Sequence, residues 1–105
     1  MNDSGIYVSR QPQGTKISVK TKNSIYELQV LDSDGSVRIC GGIFEIPEIV
    51  HFNGCTFGGT MLKIDWIGKG MYMEFVTGDR RYTTSMVREA TLYGRDWAYT
   101  MEWGS

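Results

Sequence analysis

Short runs in which apolar and polar residues alternate, each closed off by glycine, constrain this chain more than any other feature. Lys16-Ile17-Ser18-Val19-Lys20 alternates strictly, and Tyr26, Leu28 and Val30 share one face of the next run. Successive side chains of a strand point to opposite faces, so a period of two buries one face of an extended segment. Composition agrees. Leucine occurs only at Leu28, Leu31, Leu62 and Leu92 and alanine only at Ala90 and Ala98, against nine isoleucines, seven valines and nine threonines. β-Branched side chains fit a pleated surface better than a helix, and 13 glycines supply tight turns.

Turn chemistry sets the order of the strands. Asp32-Ser33-Asp34-Gly35 predicts a hairpin between residues 26–31 and 37–40, with aspartate oxygens free to accept from turn amides and Gly35 able to take positive φ. Gly41-Gly42 ends that hairpin. Residues 43–53 form an apolar segment interrupted by Pro47, which implies an edge strand or a bulge. Residues 53–60 read as a polar, glycine-dense loop carrying Phe57. Beyond it, Leu62, Ile64 and Trp66 are expected on one face. Met71, Met73 and Phe75 share a face after the Gly68-Lys69-Gly70 turn, and Gly78-Asp79 turns the chain into Arg80-Arg81-Tyr82-Thr83-Thr84. The expectation is an all-β fold, a small antiparallel β-barrel or a compact two-sheet sandwich built from short hairpins. Residues 1–103 are expected to form one domain, with Gly104-Ser105 expected to be a vector-derived remnant.

The net charge of -1 and a pI of about 5.7 give no global positive field, so nucleic acid and anionic lipid are not expected partners. Residues 1–4 lack the basic and apolar regions of a leader, and no apolar run is long enough to span a bilayer. The expected location is the cytoplasm. Cys40 and Cys55 are then expected as two buried thiols, not a disulfide.

Few arrangements can carry chemistry. His51, the only histidine, precedes Cys55 by four residues, but on one strand that spacing is roughly 13 Å of rise, so a nucleophile–base pair needs the chain to fold back at Asn53-Gly54. Structural zinc sites need four Cys or His ligands, more than this chain owns. Glu45 and Glu48 point to opposite faces of a strand, and Asp32 with Asp34 fits a turn better than a calcium loop, so neither metal nor cofactor is expected. The glycines at 54–59 lack the Gly-Lys-Ser/Thr ending of a phosphate loop, and the simplest role for Phe57 is to tuck onto the core. Arg80, Arg81 and Arg88 with Tyr72, Tyr82 and Phe57 could in principle stack single-stranded bases, although nearby carboxylates balance their charge.

Four stretches give the chain a resemblance to known sequences: Tyr26-Glu27-Leu28-Gln29-Val30-Leu31, Gly54-Cys55-Thr56-Phe57-Gly58-Gly59, the run from Trp66 through Ile67-Gly68-Lys69-Gly70-Met71 to Phe75, and Thr83-Thr84-Ser85-Met86-Val87-Arg88. Together they resemble a group of small bacterial all-β proteins. The resemblance implies the same fold class and transfers no catalytic or binding residue. Met86 stands where similar proteins place a proline, which implies a different local turn.

The expected function is a non-enzymatic binding module that self-associates and holds a protein or small ligand at its loop rim. Phe57, Gly58, Trp66, Arg81, Thr84, Ser85 and Arg88 are the candidate ligand-binding residues. Trp97, Tyr99, Met101 and Trp103 give the last strand more large apolar groups than a solvated edge tolerates, and mark it as a subunit interface unless they complete the core. The competing readings are a small enzyme with a polar pocket around Thr84, Ser85 and Arg88, aided by Asp65 or Glu74, and a single-stranded nucleic-acid binder.

Overall fold

A computed structural model of the chain describes residues 5–58, 61–93 and 98–100. The described residues form ten strands: β1 (Gly5–Tyr7), β2 (Lys16–Thr21), β3 (Ile25–Val30), β4 (Ser36–Gly41), β5 (Phe44–Thr56), β6 (Leu62–Ile64), β7 (Trp66–Gly68), β8 (Tyr72–Thr77), β9 (Arg80–Tyr93) and β10 (Ala98–Thr100). A 3-10 turn, Val8–Arg10, follows β1.

The alternating runs pair as antiparallel neighbours in a ring. β2 pairs β3, β3 pairs β4, β4 pairs β5, β5 pairs β8, β8 pairs β9, and β9 returns to β2. That circuit decides between the two expected architectures in favour of a barrel. Ile17, Val19, Leu28, Val30, Val37 and Ile39 all turn inward as their alternation requires. A cluster of rings fills one end: Phe44 stands edge-on to Tyr82, Phe75 and Tyr26, with centroids 5.0, 6.1 and 6.4 Å away.

Two long strands make closure possible because each changes partner along its length. β5 pairs β4 up to His51 and then β6 from Gly54, both along one edge, while β8 takes the other edge from His51 onward. β9 pairs β8 through Met86 and β2 from Val87, and its last residues also pair β10. Bulges bend both strands at these exchanges. Asn53 is the extra residue in β5, Thr84 and Ser85 together face Met73, and Arg88 is the extra residue opposite the Lys20–Thr21 step. Pro47 lies in a further bulge, since three residues, 45–47, face Cys40.

β1 and β7 form a separate two-stranded sheet that plugs the barrel with Ile6, Ile67 and Trp66. Trp66 packs edge-on against Tyr7 at 4.8 Å, in a space that glycine provides. A Cβ at Gly5 or at Gly68 would come within 2.3 or 2.4 Å of its indole.

Three expectations need correction. Leu62 and Ile64 do not share a face with Trp66, because Asp65 adopts a left-handed φ of 66° and breaks the run into an exposed β6 and a buried β7. Residues 53–56 are not loop: Gly54, Cys55 and Thr56 are buried in β5, and a Cβ at Gly54, where φ is +144°, would lie 2.1 Å from the Lys63 carbonyl oxygen. Of the two thiols only Cys55 is buried; Cys40 faces outward and is half-buried, and neither is bonded to the other.

Candidate functional site

Because β4 leaves the edge of β5 at His51 and β6 joins it only at Gly54, a gap opens between them. This gap is a cleft of about 330 Å³, lined by Ser33 and Asp34 of the β3–β4 turn, His51 of β5, Ile64 and Asp65 across from the turn, and Ser9. The turn folds as its aspartates require. Asp32 Oδ1 accepts from the amides of Asp34 (2.8 Å) and Ser36 (3.1 Å), and these bonds hold its carboxyl below the usual carboxylate range. Gly35, at φ +96°, lets the imidazole approach: a Cβ there would meet His51 Cε1 at 2.7 Å.

Asp65 forms the opposite wall and is held at backbone and side chain. Its amide donates to Asn53 O (2.9 Å), its carbonyl accepts from Val8 N (2.9 Å), and its carboxylate accepts from Ser9 N (2.9 Å) and Ser9 Oγ (2.5 Å). These bonds stabilise the left-handed corner that the side chain alone would not favour. Serine, histidine and aspartate thus line one cleft, but the Ser9 hydroxyl is bound to the carboxylate and not relayed through the imidazole, so the set is not ordered for nucleophilic attack. Nor do His51 and Cys55 combine. His51 is exposed, whereas Cys55 is wholly buried, and burial pushes its thiol up to about 12.

The sequence-derived candidates fall into separate places. Phe57 and Gly58 are exposed where β5 turns towards β6. Phe57, 56% exposed, is not tucked onto the core. Trp66 is only 7% exposed in the plug, beneath Lys63 Nζ at 4.0 Å from the ring. Thr84 Oγ1 accepts from Met73 N (3.1 Å) and donates to Ser85 O (2.8 Å), while Ser85 Oγ accepts from Asn23 N (3.1 Å) and donates to Thr21 Oγ1 (2.8 Å). Both hydroxyls pin the bend of β9. Arg88 is exposed on its bulge, and Arg81 lies 3.7 Å from Glu74 Oε2, which also accepts from Asn53 Nδ2 at 2.9 Å. Glu74 therefore belongs to the β5 bulge and not to a pocket with Thr84. β10 places the backbone of Tyr99 opposite Leu92. Trp97, Met101 and Trp103 lie outside the described residues.

Sequence reasoning missed the surface that the fold exposes most. Met61 (68% exposed) and Ile64 (71% exposed) join Phe57 and Leu62 on the β5–β6 hairpin, and Ile43, Ile46 and Ile49 stand out around the Pro47 bulge. Period-two patterning would place Leu62 and Ile64 indoors, and only the positive φ of Asp65 puts them outside. Among the described residues, no group of three or more His, Cys, Asp or Glu is disposed to hold a metal ion. No protein family, no curated protein and no solved structure matches the chain.

Proposed function

We propose that this chain is a non-enzymatic interaction module that holds a partner protein on the rim formed by the β5–β6 hairpin. One observation carries the reading: four large apolar side chains are exposed on one hairpin whose outer strand is a sheet edge among the described residues, Phe57 and Met61 on one face and Leu62 and Ile64 on the other. Aromatic rings and methionine are enriched at protein interfaces, and grouped apolar exposure marks binding surfaces in soluble domains. The His51 imidazole is exposed without a relay, the Ser9 hydroxyl is bound to Asp65, and the Thr84 and Ser85 hydroxyls are committed to the bulge of β9, which supports binding over turnover.

Panning a displayed library of short peptides against the folded protein tests this. Binders are expected, and they should be lost with a Phe57→Ser/Met61→Ser double variant that keeps its circular dichroism and melting behaviour. A library that yields no binder, or binders indifferent to the double variant, sinks the reading. Sedimentation equilibrium on the same samples reports whether a second copy of the chain is itself an occupant.

A further inference from the structure

Among the described residues, β6 has an open main-chain edge. On its other side Phe57 N donates to Met61 O (3.3 Å) and Asp65 N to Asn53 O (2.9 Å). Antiparallel ladders alternate hydrogen-bonded and non-bonded pairs, so the bonded pairs here are 57/61, 55/63 and 53/65, with Cys55 opposite Lys63. Lys63 therefore spends its amide and carbonyl on β5. Those of Leu62 and Ile64 point the other way, and no described strand pairs with them. A row of free donors and acceptors flanked by exposed apolar side chains is a template for an added strand.

The occupant can be read from charge. The cleft beside Ile64 carries the carboxylates of Asp34 and Asp65, with Asp32 in the same turn, and holds about 330 Å³. Besides the His51 imidazole, which also lines the cleft, the basic side chains next to its lining residues in sequence are drawn onto rings, Arg10 over Tyr7 and Lys63 over Trp66, each at 4.0 Å. A second copy is opposed in the register centred on Lys63. Two-fold pairing of β6 with itself about Lys63 would set that lysine opposite its own copy, a like-charge pair that opposes the register.

We infer that β6 accepts an extended peptide segment of a partner, antiparallel to Leu62–Ile64, whose lysine or arginine side chain enters the cleft beside Asp34. This rests on the interaction-module reading and specifies its partner. Binding supplies the main-chain bonds that the edge lacks, apolar residues of the peptide cover Leu62 and Ile64, and its cation meets the carboxylates.

The test pans a library of alternating β-branched peptides with randomised intervening positions, then titrates the best binder into isotopically labelled protein. One randomised position should enrich in lysine or arginine, and the amides of Leu62 and Ile64 should shift. N-methylation of the peptide at alternate residues should abolish binding, and Asp34→Asn should weaken it roughly threefold while Asp34→Glu restores it. Enrichment of acidic or neutral residues, binding that survives N-methylation, or shifts that spare β6 overturns the inference. In those cases the module reading stands provided binding still depends on Phe57 and Met61, whereas an absence of binders removes both.

Discussion

At Cys55 the thiol is enclosed by barrel and plug, so ionising it costs solvation that the hydrogen bond from the Gly68 amide offsets only in part. The folded value is raised above the ordinary 9.0, which fixes the sign of its effect. Below pH 9 both folded and unfolded chains keep the proton and Cys55 is neutral to stability. Between pH 9.0 and about 12 the unfolded chain ionises and the folded one does not, so stability falls as pH rises, by up to about 1.4 kcal/mol per pH unit. Urea melts at pH 8 and pH 10.5 should show a decline that shrinks in Cys55→Ala, and an equal decline in the variant would refute the assignment. The same burial predicts one iodoacetamide adduct on the native protein, at half-buried Cys40, and a second only after unfolding.

At the scale of the element, β9 shows how a strand is bent without a proline. Thr84 accepts with its hydroxyl from the Met73 amide beside the two-residue bulge, so a side chain satisfies a buried donor where the ladder is interrupted. Thr84→Val keeps the shape and removes the acceptor, and should cost about 1–3 kcal/mol in denaturant melts, while Thr84→Ser should recover most of it. A loss confined to a few tenths in Thr84→Val would mean the bulge holds itself. Here the sequence was legible only in part. Ile17, Val19, Tyr26, Leu28, Met73 and Phe75 announce their inward faces by period two, and Asp32 with Gly35 announces its turn. Thr84, Ser85 and Arg88 were legible as an unusual cluster but not as bulge residues, because an inserted residue leaves no mark until the partner strand is known. β6 stayed hidden for a related reason: Asp65 is not glycine, and its left-handed corner depends on Ser9, far away in the chain.

At the scale of the molecule, the ring closes by pairing β2 with the end of β9, with Ile17 opposite Leu92. Such distant pairing makes folding wait on loop closure, so refolding followed by the fluorescence of buried Trp66 should take milliseconds to seconds, as in other non-local β topologies, and microsecond refolding would contradict the closed ring. All-β character and a single hydrophobic core were legible from the sequence, whereas barrel over sandwich was not, since alternation looks the same whichever neighbour a strand takes. The double duty of β5 carries one more consequence. Its thirteen residues are registered against three other strands at once, so inserting a single residue between Phe52 and Gly54 would throw β4 out of step with both β6 and β8. The turns at 12–14 and 78–79 are registered against far less. As this sequence drifts over generations, its length is free to vary at those turns and is held fixed along β5.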